Sequence, residues 1–174
     1  DESPIVLEVG SGTEQHAAFM PTQLSEVVWQ PSDRAGDHSS IEAWIEKSTA
    51  ENIRSPISLD LFDEDWSIDR VDVMVAINVV HIAPWEATER LFEHASRILP
   101  HGGVVFLYGP YRYRDRQLEP SNERFDAFLR KRDPRSGIRI FEEVDEVARR
   151  LGFALQEDRS MPANNRSLWW TKLA

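Results

Sequence analysis

Residues 5–16 read IVLEVGSGTEQH, an apolar run that leads into two glycines separated by a single residue. The run Ile5–Val9 is typical of a buried β-strand. Gly10 and Gly12 allow the backbone to turn sharply and to approach a ligand closely at the carboxyl end of that strand. The stretch therefore predicts the first strand and the ligand-binding turn of an α/β domain.

The glycine pattern is incomplete, so it does not name the ligand by itself. The dinucleotide fingerprint G-x-G-x-x-G needs glycine where Gln15 stands, and the methyltransferase pattern G-x-G-x-G needs it where Glu14 stands. Glu8 and Glu14 would repel a pyrophosphate, whereas a carboxylate suits the cationic sulfonium of S-adenosylmethionine. The charges favour S-adenosylmethionine over NAD as the cofactor. The alternative is a tight turn without a ligand, in which Glu8 only caps its own loop.

Apolar runs alternate with helical stripes along the rest of the chain. Six further strands are predicted, at residues 27–29, 57–61, 71–80, 104–108, 153–156 and 168–171, with Pro31 ending the first of them. Four helices are predicted between them, around residues 41–45, 87–99, 121–129 and 144–151, with Ser39 and Ser121 as candidate caps. This alternation predicts an α/β fold, a doubly wound, Rossmann-like sheet in a single domain spanning residues 1–174. Because a domain rarely begins on a central strand, we expect the natural chain to have further residues before Ile5.

Composition and charge exclude several classes of function. The chain has 174 residues, a net charge of −10 and no cysteine, which excludes disulfides, thiolate zinc sites and cysteine nucleophiles and is consistent with a cytoplasmic location. The acidic surface disfavours nucleic acid as a partner, because phosphate contacts supply most of that affinity. No apolar run approaches the roughly 20 residues of a membrane helix. The five histidines lack metal-ligand spacing and there is no G-x-S-x-G elbow, so no metal site and no serine hydrolase are predicted.

Polar residues stand where several predicted strands end, and ligands of parallel sheets bind at those ends. Asp33 follows the second strand, where an acid can bind ribose hydroxyls, although its surroundings are also an ordinary turn sequence. Asp60 ends the third strand, where its carboxylate can accept a hydrogen bond from an adenine amino group; an acidic surface loop is the alternative. Asn78 and His81 end the strongest strand and point toward the same site, unless His81 is a structural residue.

Longer strings carry a family resemblance: LEVGSGTEQHA (7–17), WQPSD (29–33), NVVHIAPWEATERLF (78–92), PSNERFDAFLRKRDP (120–134) and MPANNRSL (161–168). They resemble the methyltransferase-like protein 26 family, which is similar to class I S-adenosylmethionine-dependent methyltransferases. The resemblance covers nearly the whole chain and implies a seven-stranded sheet whose last strand is antiparallel and inserted beside the fifth. It implies these cofactor contacts: Glu8, Gly10, Ser11 and Gly12 at the loop, Asp33 at the ribose, Asp60 and Leu61 at the adenine, and Asn78 beside the methyl. The family pattern has glycine where Glu14 stands, and it usually has a helical segment before the first strand.

The resulting hypothesis is an S-adenosylmethionine-dependent methyltransferase that acts on a small molecule. Such a transfer gains much of its rate from holding the reacting atoms in line. His81 is the candidate general base, because histidine titrates in a suitable range. The residues expected to shape the acceptor pocket are Tyr108, Tyr111, Asn122, Asn164 and Asn165, with a simple turn as the alternative for the last two. Two alternatives stay open, a catalytically inactive descendant, motivated by Glu14, and an NAD-dependent oxidoreductase, disfavoured by Glu8 and Gln15.

Overall fold

The computed structural model describes residues 3–12, 16–36 and 38–174 of the chain, and a seven-stranded sheet lies at its centre. The strands are β1 (Ile5–Val9), β2 (Val28–Asp33), β3 (Ile57–Ser58), β4 (Val73–Ile77), β5 (Val104–Gly109), β6 (Tyr111–Arg112), β7 (Arg139–Ile140), β8 (Phe153–Met161) and β9 (Asn165–Lys172). The α-helices are α1 (His16–Gln23), α2 (His38–Ile45), α3 (Trp85–Ile98), α4 (Pro120–Arg132) and α5 (Phe141–Arg150). A 3₁₀ turn, Pro162–Asn164, joins β8 to β9, and β6 pairs with β7 in a small separate sheet.

The strand order confirms the predicted architecture. The main sheet runs β3-β2-β1-β4-β5-β9-β8, and the first five of these strands are parallel to one another. β9 is antiparallel to β5 and lies between β5 and β8, so the last strand of the chain is inserted beside the fifth. The carboxyl ends of β1 and β4 are therefore neighbours at the middle of the sheet, where the strand order reverses and ligands of such folds bind.

Helices cover both faces of the sheet, because alternate residues of each strand point to opposite sides. Leu7 and Met74, both fully buried, belong to the core on the side of α3 and α5. Val6 and Val75, one position away on the same strands, pack in the smaller core with residues of α1 and α2. The predicted stripe of α3 is confirmed: its buried members are Ala87, Leu91, Phe92, Ala95 and Ile98. Burying one leucine of this kind contributes about 1.5–3 kcal/mol.

The prediction that proline ends the second strand is wrong, since β2 continues through Pro31. Trp29 exchanges backbone hydrogen bonds with residues 52–54 on the outer side of β2. The backbone of Pro31 faces the same outer side, because residues two apart in a strand point alike. β3 begins only at Ile57, opposite Ser32. The missing N–H of proline therefore removes no hydrogen bond from the sheet.

Other boundaries also differ from the predictions. β3 is limited to two residues, and β4 ends at Ile77 because Asn78 has a φ of 55°, in the left-handed region, which turns the chain out of the strand. α2 begins at His38 and α4 at Pro120, so Ser39 and Ser121 lie inside first turns and are not caps. β8 and β9 form a hairpin longer than predicted, and its corner reaches the carboxyl end of the sheet.

Candidate functional site

The glycine loop after β1 is tied to the end of β2 by a set of short hydrogen bonds. The Ser11 backbone N–H donates to the Ser32 carbonyl at 2.8 Å, and the Gly12 N–H donates to Asp33 Oδ2 at 2.6 Å. Gly10 has a φ of +69°, and a Cβ at this position would lie 3.0 Å from Cγ2 of Val79. Glycine is therefore required where the loop passes the segment that follows β4.

Glu8 lies beneath this loop and is 2% exposed. Its Oε2 accepts hydrogen bonds from Ser11 Oγ and from Trp29 Nε1, both at 3.0 Å. A buried carboxylate is tolerated because donors such as these compensate its lost hydration. In this arrangement Glu8 holds the loop from within, as the capping alternative expects. Glu14, the departure from the glycine pattern, lies outside the described residues.

Two acids mark the neighbouring strand ends. Asp33 ends β2 half-buried, and its two carboxylate oxygens accept the backbone N–H groups of Gly12 and Arg34. Asp60 lies beyond β3, where Oδ1 accepts the Phe62 N–H at 2.9 Å. Leu61 is buried in the core and its carbonyl is hydrogen-bonded to Nε2 of His94 at 3.0 Å, so its side chain is not available for the predicted adenine contact. Each carboxylate oxygen has a second lone pair, which leaves both acids able to accept a hydroxyl or amino group.

A cavity of about 460 Å³ opens at the carboxyl ends of β4 and β5. Its lining residues are Asn78, His81, Ile82, Pro110, Asn122, Phe125, Phe128, Leu129, Arg132, Ala163 and Asn165. Among the residues that the structure describes, seven large apolar side chains are exposed, and three of them line this cavity: Ile82, Phe125 and Phe128. Exposed apolar side chains gathered around one concave surface are typical of a binding site.

His81 forms the buried side of this cavity. Its ring is 1% exposed, and Nδ1 has no hydrogen-bond partner among the described residues. Burial, reinforced by the positive charge of Arg139, lowers the pKa of His81 to about 4. The imidazole is therefore neutral at pH 7. Gly109 at the end of β5 allows this close packing, since a Cβ there would lie 3.0 Å from Cε1 of the imidazole.

The backbone on both sides of His81 is held by one distant segment, residues 136–139. Arg139 Nε donates to the Val80 carbonyl at 2.9 Å, and its Nη2 donates to the Ala83 carbonyl. The Gly137 N–H donates to the His81 carbonyl at 2.8 Å, and Ser136 Oγ donates to the Ile82 carbonyl at 2.8 Å. Four consecutive carbonyls, 80–83, are thus satisfied by what we term the carbonyl clamp, residues 136–139.

The clamp is also fastened to α4, the helix that forms the aromatic wall of the cavity. Asp126, on that helix, accepts the Ile138 N–H at 2.7 Å and Arg130 Nε at 2.9 Å. Asp126 is 8% exposed, so these hydrogen bonds lie largely out of water. The loop around His81, residues 80–83 (the histidine loop), and the aromatic wall formed by Phe125 and Phe128 are therefore held by the same segment, the carbonyl clamp.

The structure brings only part of the predicted acceptor pocket to the cavity. Asn122 and Asn165 line it, and Nδ2 of Asn122 donates to the Asn164 carbonyl at 3.1 Å. Asn164 itself supports the corner of the β8–β9 hairpin without lining the cavity. Tyr108 is in β5 and does not line it either. Tyr111 is 3% exposed, and its buried hydroxyl has no partner among the described residues; burial raises its pKa.

Several lining residues were missed by sequence reasoning. Phe125 and Phe128 had been assigned to the apolar side of a helix, and a helical stripe has the same spacing whether it faces a core or a cavity. Arg132 carried no signal beyond its place in a basic helix end. Ala163 reaches the cavity because the hairpin corner folds back over it, which no local pattern shows.

Two kinds of site are absent from the described part of the chain. No group of three or more histidine, aspartate or glutamate side chains there is arranged to hold a metal ion. Within residues 3–12, 16–36 and 38–174, no helix has the length and apolar character needed to cross a membrane.

Several solved structures that share this fold are methyltransferases. An O-methyltransferase family protein from Burkholderia thailandensis matches with a TM-score of 0.85 at 14% identity, over 98% of this chain and 51% of that chain. Human N-acetylserotonin methyltransferase, in complex with SAM, matches with a TM-score of 0.81 at 16% identity, over 98% and 48%. An O-methyltransferase family 2 protein from Planctomyces limnophilus, in complex with apigenin, gives 0.85 at 14% identity, over 98% and 51%. The chain spans about half the length of these proteins.

A family model also matches this sequence over almost its full length. The family is described as a protein of unknown function, DUF938, and the match covers residues 1–172.

Proposed function

This chain belongs to the DUF938 family, and we propose that it is an S-adenosylmethionine-dependent methyltransferase for a small-molecule acceptor. The observation that carries the proposal is the position of a neutral imidazole, His81, whose Nδ1 has no partner among the described residues, in an aromatic cavity next to the glycine loop. The fold shared with methyltransferases supports it. Identity with the methyltransferase-like protein 26 family and a cytoplasmic location are part of the same proposal.

The residues at the carboxyl ends of β1, β2 and β3 fit this cofactor. Gly10 and Gly12 place no side chain at these two positions of the loop, and Asp33 stands next to the loop with a half-buried carboxylate. Asp33 would accept the ribose hydroxyls and Asp60 the adenine amino group. When bound, S-adenosylmethionine supplies an electrophilic methyl group on a positively charged sulfur.

The residues around the cavity would serve the acceptor. We assign His81 as the group that would accept the proton an acceptor hydroxyl loses. Its Nδ1 is buried and has no partner among the described residues, so acceptor binding would have to expose this atom first. Asn78 and Asn122 supply amide groups that orient polar atoms of the acceptor. Phe125 and Phe128 exclude water from the ring or chain that lies against them, and this strengthens the polar contacts inside.

The test is calorimetric titration of the chain with S-adenosylmethionine and S-adenosylhomocysteine, with NADH as a control. We expect dissociation constants on the order of 1–100 μM for the first two, and a loss of at least about tenfold on Asp33→Ala. Asp69→Ala, at an exposed aspartate away from the loop, is the matched control and should bind as the parent does.

Repeating the titration with Glu14→Gly separates the remaining alternatives. Binding that appears only in this variant would favour a catalytically inactive descendant whose loop no longer accepts the cofactor. Binding of NADH alone would favour the oxidoreductase. If neither the parent chain nor Glu14→Gly binds S-adenosylmethionine or S-adenosylhomocysteine, the proposed function is refuted.

A further inference from the structure

The cavity differs in charge from the rest of the chain. The chain has a net charge of −10, yet the described residues that line the cavity include no aspartate and no glutamate. Their one formal charge at pH 7 is the guanidinium of Arg132, because His81 is neutral there. A ligand entering this cavity therefore meets a positive group on a protein that otherwise repels anions.

Arg132 is also unlike the other arginines close to it in sequence. Arg130 donates to Asp126 at 2.9 Å, and Arg135 donates to Asp133 at 2.9 Å. The guanidinium of Arg132 instead lies over the ring of Phe128, with 5.9 Å between its Cζ and the ring centroid, and has no carboxylate partner among the described residues. Its hydrogen-bond donors remain available to an anion, and a planar guanidinium matches a carboxylate in geometry.

One wall of the cavity is aromatic. The rings of Phe125 and Phe128 are nearly parallel, with an interplanar angle of 16° and 6.5 Å between centroids. The ring of His81 meets Phe125 edge-on at 5.7 Å. An aromatic ring placed against this wall would gain stacking and edge contacts in addition to burial of its apolar surface.

From these observations we infer that the cavity binds a small planar aromatic acid, with its ring against Phe125 and Phe128 and its anionic group at Arg132. The inference rests on the proposed function, since it names the class of acceptor for that site. An adjacent polar rim, formed by the amides of Asn78, Asn122 and Asn165, is free of charge and accommodates neutral hydrogen-bonding substituents.

The experiment compares carboxylates with their carboxamides, which have nearly the same shape but no charge. Three pairs are titrated calorimetrically in the presence of S-adenosylhomocysteine: benzoate and benzamide, indole-3-acetate and indole-3-acetamide, and 2-naphthoate and 2-naphthamide. In at least one pair we expect the carboxylate to bind about five- to tenfold more tightly than the amide, with an advantage that shrinks at high salt.

Arg132→Gln should abolish that advantage while leaving the amide's affinity within about twofold, because only the charge contact is removed. Lys131→Gln is the matched control: Lys131 is an exposed cation on the same helix turn and does not line the cavity, so the advantage should persist. Equal binding of acid and amide in every pair, an advantage that survives Arg132→Gln, or no binding by any of the six compounds would overturn the inference.

Failure of the acid-binding inference can be distinguished from failure of the proposed function. S-adenosylmethionine is titrated separately, without any aromatic compound. Its binding together with equal affinities for acids and amides keeps the methyltransferase proposal and removes the acid-binding site. Selective acid binding by a chain that binds no S-adenosylmethionine supports the site, and the methyltransferase proposal then fails alone.

Discussion

Replacing His81 with a residue that does not titrate should make the protein less sensitive to acid. The pKa of His81 is lowered from its ordinary value of 6.5 to about 4, first by burial and then by Arg139. Between pH 6.5 and about pH 4 the unfolded chain binds a proton at this imidazole, whereas the folded chain does not. The stability that comes with the neutral imidazole is complete above pH 6.5 and is lost as the pH falls toward 4.

The size of the effect follows from the two pKa values. The difference between 6.5 and about 4 corresponds to about 3 kcal/mol when the titration is complete. At pH 4.5 about 2.5 kcal/mol of it is expressed. The wild-type free energy of unfolding should therefore fall by about 2.5 kcal/mol more than that of His81→Gln or His81→Phe between pH 7.5 and pH 4.5.

Urea unfolding followed by the fluorescence of the six tryptophans measures this difference. Dilute protein is needed, because the isoelectric point near 5.0 lies inside the range. The comparison uses the change with pH, so a variant that is less stable at every pH still gives the answer. If both variants lose as much stability as the wild type on acidification, the imidazole is not held neutral and the reasoning about His81 is refuted.

Three further predictions concern the loop and its supports. Gly10→Ala should cost about 1–2 kcal/mol in stability and weaken S-adenosylhomocysteine binding in calorimetry, whereas Gly36→Ala, also at positive φ but with no atom within 4 Å of its Cβ, should leave binding unchanged. Arg139→Gln should lower the free energy of unfolding by about 3 kcal/mol and raise the pKa of His81 in an NMR titration; an unmoved pKa would contradict the electrostatic role. Trp29→Phe should cost about 1–2 kcal/mol in thermal unfolding, because a buried carboxylate loses one donor, and a neutral result would mean that the hydrogen bond adds nothing.

The sheet could be predicted from sequence because its central strands β1, β4 and β5 consist mostly of consecutive apolar residues. The ends of the strands were harder to predict from sequence. The apolar run 71–80 continues past the end of β4, and only the left-handed φ of Asn78 shows where the strand stops. Pro31 would normally end a strand, yet β2 continues because the proline faces an edge where β3 has not begun. Both outcomes depend on neighbouring strands, which a local pattern does not contain.

The candidate site was predictable in part. The strand-end rule predicted Asn78 and His81, which both follow β4 and line the cavity, and two predicted pocket residues, Asn122 and Asn165, line it too. The roles of Phe125 and Phe128 were missed, because periodicity identifies an apolar face but not what it contacts. The carbonyl clamp was missed as well: its hydrogen bonds join residues 54 to 59 positions apart, and neither segment has a distinctive composition.

The carbonyl clamp also sets when the site can exist during synthesis of the chain. A ribosome releases the glycine loop and the histidine loop before the clamp that satisfies carbonyls 80–83, which follows more than 50 residues later. The strand inserted beside β5 emerges later still, since β9 spans Asn165–Lys172. A nascent chain therefore carries an unfinished cavity, with carbonyls 80–83 not yet held by the clamp, until β9 has been made. Ligand binding at this site thus requires every segment from the glycine loop to β9, and it protects no shorter intermediate from degradation.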